Sequence, residues 1–291
     1  MVIIEQFING LNLGSIYALM ALGYTMVYGI AKMLNFAHGD IIMVGAYTIS
    51  VATANLGLSP ILSVLLSMIV CTVLGVAIEK VAYKPLRMAS PLTVLITAIG
   101  VSYLLQSVAL LIFGSKSQRV ASVIDVDPVT IGGITLTGES IVTLGVTIVI
   151  MILLVLFINK TKVGKAMLAV SEDRGAAELM GINVNNTISL TFAIGSFLAA
   201  VAGALFVSSY GFVDPYTGAL PGIKAFVAAV LGGIGSVPGA MLGGILLGII
   251  ESLSKAYIST QLSDAIVFGV LILVLLFKPS GLLGKQRVTK V

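Results

Sequence analysis

Charge is what this sequence has least of. Only 10% of its 291 residues are Asp, Glu, Lys or Arg, with 16 basic and 12 acidic side chains, against roughly 25% in an ordinary soluble domain. So few charges cannot cover the surface of a soluble fold this long. One cysteine, Cys71, excludes an internal disulfide and a thiolate metal cage. One histidine, His38, excludes a multi-His metal site. Tryptophan is absent, which leaves Tyr to supply most of any interfacial aromatic belt. Alternating segments of about 10 residues, the mark of a transmembrane barrel, are also missing. The opening MVIIEQF has no basic stretch before its apolar run, so no cleaved signal peptide is expected.

Apolar residues make up 58% of the chain, and mean hydropathy is +1.14. Charge-free apolar runs of about 20 residues, each long enough to cross the hydrocarbon core, recur along the chain, and apolar segments fall near 7–30, 40–56, 59–79, 91–113, 140–158, 187–211, 222–253 and 263–277. The expected class is all-α: a polytopic helical membrane protein forming one transmembrane domain over 1–291. The 222–253 run is too long for one crossing. It carries Gly-Gly-Ile-Gly-Ser-Val-Pro-Gly at 232–239, a strong local breaker, and is read as two broken helices, 222–233 and 239–253. Eight to ten spans are expected, with broken or re-entrant helices.

Basic residues set the orientation. One topology gathers Lys32 and the clusters at 80–87, 160–174 and 278–290 on one side, leaving Lys116, Arg119, Lys224 and Lys255 opposite. The richer side is expected to be cytoplasmic, with the N-terminus periplasmic and the C-terminus cytoplasmic. The sequence pI of 9.1 then records basic loops, and no nucleic-acid partner is expected.

Two loops are long. The polar outer loop 114–139 contains alternating Val, Ile and Thr around Gly132-Gly133 and predicts a small hairpin. The inner loop 159–186 predicts a helix of about nine residues, with Ser171 as N-cap, Glu172 and Asp173 in the first turn, Ala176 and Ala177 on a small-residue face, Met180 near its end and Gly181 at C′. Two readings stand for it: a docking element for another protein, or an amphipathic connector on the bilayer surface.

Small and polar residues inside the spans also admit two readings each. Gly235, Gly239 and Gly243, continued by Gly244 and Gly248, form a packing face on a helix. Together with Gly232 and Gly233, they also break a span, as Asn35–Gly39 breaks one in the first half. Paired breaks mark substrate paths in many transporters. A weak internal repeat relating 35–46 to 232–243 is expected, with the helix starts after the breaks facing the path. Asn9 and Asn12 share one face of the first span, which also holds Ser15, Tyr17, Thr25 and Tyr28. These polar groups either bond between helices or line a path. His38 beside Asp40 admits a proton relay, or a structural hydrogen bond at the helix break. Glu79 and Glu251 close their spans and are expected at the interface.

Three segments resemble one family. They are Ala-Val-Ser-Glu-Asp-Arg-Gly-Ala-Ala-Glu-Leu-Met-Gly-Ile-Asn (169–183), the stretch from Asn9-Gly-Leu-Asn-Leu-Gly-Ser through Asn35-Phe-Ala-His-Gly-Asp, and Lys224-Ala-Phe-Val-Ala-Ala-Val-Leu-Gly-Gly-Ile-Gly-Ser-Val-Pro-Gly-Ala. In this order and spacing they are similar to permeases of branched-chain amino acid ABC importers, the LivH type. The resemblance implies a half-pore that pairs with a related permease. Two cytoplasmic ATPases would dock on 172–181, a periplasmic binding protein would deliver the amino acid, and the setting is a bacterial inner membrane. It implies no cofactor and no catalytic residue. Consistently, no Gly-x-x-x-x-Gly-Lys-[Ser/Thr] phosphate loop occurs. Rival readings are a urea or short-amide importer, an ion-coupled secondary transporter and an intramembrane enzyme.

Overall fold

The computed structural model describes residues 2–131 and 134–284. The basic C-terminal residues Lys285, Arg287 and Lys290 used for orientation, and the Gly132-Gly133 turn, lie outside the described residues.

The apolar runs form helices α1 (Val2–Ala31), α2 (His38–Ala54), α3 (Pro60–Ile78), α4 (Pro91–Phe113), α5 (Gly138–Lys160), α8 (Val184–Tyr210), α9 (Ala219–Gly232), α10 (Val237–Tyr257) and α11 (Ser263–Phe277). Between α5 and α8 lie two short helices, α6 (Lys162–Glu172) and α7 (Arg174–Leu179). Among the described residues, six helices are long and apolar enough to cross a membrane, while α9 and α11 are shorter apolar helices. The expected break in 222–253 falls at Gly233–Ser236 and separates α9 from α10. Local chemistry sets the ends. Ser90, Thr137, Asn183 and Ser236 cap helix starts with side-chain oxygens, and Gly211 ends α8 with φ +72.

α1 and α8 are the buried centre, while α3, α4 and α5 expose most of their apolar surface, as lipid-facing helices do. Glycines set the central packing. Gly23 of α1 crosses Gly195 of α8. A Cβ at Gly10 or Gly14 would lie 2.7 Å from the Cα of Ile249 or Ile245 in α10, so α1 and α10 touch backbone to backbone. α3 also approaches α8 at a glycine, where Gly75 meets the Ser196 side chain.

The chain has two opposed units, α1–α2–α3 and α8–α9–α10. α8 begins at the end of the bundle where α1 stops: Arg174, which opens the short α7 leading into α8, donates to the Ala31 carbonyl. α2 has 17 residues and α9 has 14, against 30 in α1 and 27 in α8, and their starts meet in the interior. Gly39 and Gly218 face each other so closely that a Cβ on either would strike the other's carbonyl. From there α2 runs away from the Ala31 end, and α9 runs toward it, since Gly235 packs on Gly29. This inverted arrangement relates residues near 39 to residues near 218. The expected register of 35–46 with 232–243 is therefore corrected: 232–236 is the turn between α9 and α10, held against the 281–284 segment at one end of the bundle.

The outer hairpin forms as β2 (Val129–Ile131) against β3 (Ile134–Leu136). In addition, β1 (Gln118–Arg119) pairs antiparallel with β4 (Phe212–Val213), tying the outer loop to the segment that leads into α9.

Candidate functional site

The inner loop differs from its sequence reading in one physical detail. Ser171 does not cap a helix. It lies inside α6 and its hydroxyl donates to the Leu168 carbonyl. The cap is Asp173, whose carboxylate accepts from the Ala176 amide at 3.0 Å. Glu172 thus ends α6, and α7 is only six residues long. α6 itself was not expected. Thr161 caps it by accepting from the Gly164 amide, and Met167 and Val170 bury one of its faces. Gly181 behaves as expected, with φ +81. Its amide donates to Glu178 and that of Ile182 to Ala177, a Schellman closure.

The two alanines part company: Ala177 is buried, while Ala176 is exposed together with Glu172, Asp173, Met180 and Gly181. Leu179 and Met180 are 91% and 82% exposed, an apolar tip at the edge of the bundle. Arg174 bonds the last carbonyl of α1. Burial, and then the positive charge of Arg87, lower the pKa of its guanidinium.

At the helix breaks, the polar residues are tied to neighbours. Asn35 Oδ1 accepts from the Tyr83 hydroxyl at 2.9 Å, joining the α1–α2 break to a π-helical turn, Glu79–Tyr83. His38 and Asp40 do not engage each other in a shared bond. The His38 ring lies edge-on to Tyr24 at 4.8 Å, while Asp40 accepts from Gln106 of α4 at 2.9 Å. Thr25 is buried with an unpartnered hydroxyl, and His38 Nε2 is unpartnered as well. Gly232 packs on the Gly239 carbonyl, Gly233 on Gly284, and Gly235 on Gly29, so this trio lies in backbone contacts at the Ala31 end.

The two closing glutamates are buried within the protein: Glu79 and Glu251 are 0% and 1% exposed. Glu79 accepts from Arg87 and from Ser189 at 2.6 Å. Glu251 collects Lys224 at 2.8 Å, Lys255 at 2.6 Å and the Tyr17 hydroxyl at 3.0 Å. Lys224 also bridges to Asp264 at 2.6 Å. This four-charge cluster joins α9, α10 and α11, with Tyr17 bringing in α1. Sequence reasoning missed it because Lys224 and Glu251 are 27 positions apart on separate helices. The available signal was that two apolar spans each carried one opposite charge, which in hydrocarbon must pair.

Beside the cluster, Asn9 and Asn12 come together as expected. They line a cleft of about 220 Å³ with Gln6, Ser209, Ser252 and Lys255. Ser15 is turned away, donating to Leu11, and its carbonyl accepts from Thr147.

A bundle of long apolar helices with a buried centre, buried ion pairs and a lipid-facing shell defines a polytopic helical membrane protein. Residues 6–275 match the family model described as branched-chain amino acid transport system, permease component, and the chain belongs to that family. It is 46% identical to the high-affinity branched-chain amino acid transport system permease protein BraD of Pseudomonas aeruginosa, covering 99% of this chain and 98% of BraD. It is 44% identical to LivH of Escherichia coli over 99% of this chain and 97% of LivH. A probable LivH of Methanocaldococcus jannaschii is 30% identical over 93% of this chain and 89% of that protein.

Proposed function

We propose that this chain is the translocating subunit of an ATP-driven importer of branched-chain amino acids. The observation that carries the reading is similarity over essentially the whole of this chain and of BraD and LivH. The subunit performs no covalent chemistry. It pairs with a second related permease in the bacterial inner membrane, works with two cytoplasmic ATPases and receives its amino acid from a periplasmic binding protein. Its N-terminus is periplasmic and its C-terminus cytoplasmic, which puts the Ala31 end and α6–α7 in the cytoplasm.

In this reading, α7 is the docking element. Its exposed Leu179 and Met180 suit an apolar groove on an ATPase. The Arg174 bond to Ala31 links any displacement of α7 to α1, the helix that touches α8, α9 and α10. ATPase closure supplies the differential contact that two alternating states require. The interior ends of α2 and α9 are where such states would differ, since broken helices mark the path in other transporters.

Affinity purification from native membranes in mild detergent tests this. The wild type is expected to bring down ATPases and a second permease. A variant with Glu172, Asp173, Ala176 and Met180 replaced by Arg is expected to keep the permease and lose the ATPases. A wild type that purifies alone would refute the assembly. Equal ATPase recovery by the variant would refute α7 as the docking element.

A further inference from the structure

The cleft beside the charge cluster holds a chemical oddity. Two of its lining side chains, Asn12 of α1 and Ser209 of α8, carry buried polar atoms, Oδ1 and Oγ, with no hydrogen-bond partner. Leaving a buried polar atom unpaired costs about 1–3 kcal/mol, so two in one cleft call for a missing partner. On the same cleft lies Lys255, whose ammonium is held against Glu251 and whose side chain as a whole is 38% exposed. Leu13 and Ile16 furnish an apolar wall.

We infer that this cleft is a station for the head group of the transported amino acid: Lys255 receives its α-carboxylate, while Asn12 Oδ1 and Ser209 Oγ accept from its α-ammonium. The inference rests on the permease reading above and adds where the zwitterion is held. Three features fit the ligand. The volume, about 220 Å³, is below the roughly 300–1,000 Å³ of drug-sized pockets and suits a small metabolite. The charges balance: Lys224 and Lys255 offset Glu251 and Asp264, so a net-neutral zwitterion enters without leaving an uncompensated charge. The polar atoms offered are complementary, acceptors for an ammonium and a cation for a carboxylate, with an aliphatic wall for the side chain. A bare fatty acid or amine would satisfy only one half.

The test uses the complete transporter in proteoliposomes, with loaded binding protein outside, ATP inside and radiolabelled L-leucine. Asn12→Ala and Ser209→Ala each delete an atom that bonds nothing in the protein. They are therefore expected to leave the melting temperature unchanged or raised, yet to lower leucine uptake about tenfold, the effect of one charge-assisted hydrogen bond. Lys255→Met is expected to lower uptake at least as far, with partial recovery in Lys255→Arg. In a Cys71→Ala background, saturating L-leucine is expected to slow alkylation of Leu13→Cys, a lining position that donates no proposed ligand atom, by N-ethylmaleimide. Uptake by both alanine variants within twofold of wild type would overturn the proposal, as would unprotected alkylation. A loss of uptake matched by a fall in melting temperature would also overturn it, since it would assign the two atoms a structural role. Wild-type vesicles that take up no leucine would instead count against the permease reading; the alkylation experiment still reads the cleft in that case.

Discussion

Replacing Gly14 by Ala probes the contact that joins the two opposed units. The new Cβ would lie 2.7 Å from Ile245 Cα and 2.8 Å from the Ile245 carbonyl oxygen. Ordinary contact begins near 3.4 Å, so α1 and α10 must separate by about 0.7 Å locally. The obstructing atoms are backbone and cannot rotate aside, and Gly248 already abuts Gly14 from the facing helix. Overpacking of this kind costs about 1–3 kcal/mol. The substitution also raises helix propensity, by up to about 1 kcal/mol, and that gain must be removed from the comparison. Gly269→Ala in α11 does so: it makes the same change in a helix where nothing lies within 4 Å of the added carbon. Unfolding of both variants by SDS titration in mixed micelles should show Gly14→Ala less stable than Gly269→Ala by about 1–3 kcal/mol. Equal stabilities would refute the claim that α1 and α10 are held at backbone contact.

Other perturbations follow from the same packing. Glu251→Leu strips the acceptor from Lys255 and Tyr17 and leaves the 4%-exposed Lys224 with Asp264 alone; a loss of about 3–5 kcal/mol is expected, and a Glu251→Leu/Lys224→Met double variant should recover part of it in the same titration. Tyr83→Phe removes the donor to the buried Asn35 Oδ1 and should cost about 1–3 kcal/mol, with faster hydrogen exchange at 32–37 as the local readout. Asp173→Ala removes the α7 cap, worth about 1 kcal/mol, and should reduce ATPase co-purification while Glu172→Ala, which caps nothing, changes it little.

What the sequence made legible was whatever depends on local chemistry. Apolar runs of sufficient length gave the spans, and the Gly-Pro cluster at 232–239 divided α9 from α10, because both are properties of neighbouring residues. Gly181 was readable at the end of α7 for the same reason, since only a residue tolerant of positive φ closes that turn. The cap was misplaced by two residues because Ser171 and Asp173 are both good caps, and the choice depended on how far α6 ran. Burial of Met167 and Val170 against the bundle extends α6 through Glu172, and no local signal reports that. The Gly39–Gly218 meeting was not legible, since it links residues 179 positions apart and leaves only glycines as its trace. The Lys224–Glu251–Asp264 cluster and the β1–β4 pairing were out of reach for the same reason: each exists only once distant helices are packed. Among the proposed path residues, Asn9 and Asn12 share a cleft, whereas Gly232 and Gly233 are engaged with the C-terminal segment and Gly235 with Gly29.

The central claim, that this chain carries branched-chain amino acids at the expense of ATP hydrolysed on partner subunits, is most directly tested by uptake. The purified assembly is placed in proteoliposomes with leucine-loaded binding protein outside. The account predicts leucine accumulation with ATP inside, and none with a non-hydrolysable analogue or without the binding protein. Accumulation in ATP-free vesicles driven by an ion gradient would contradict it.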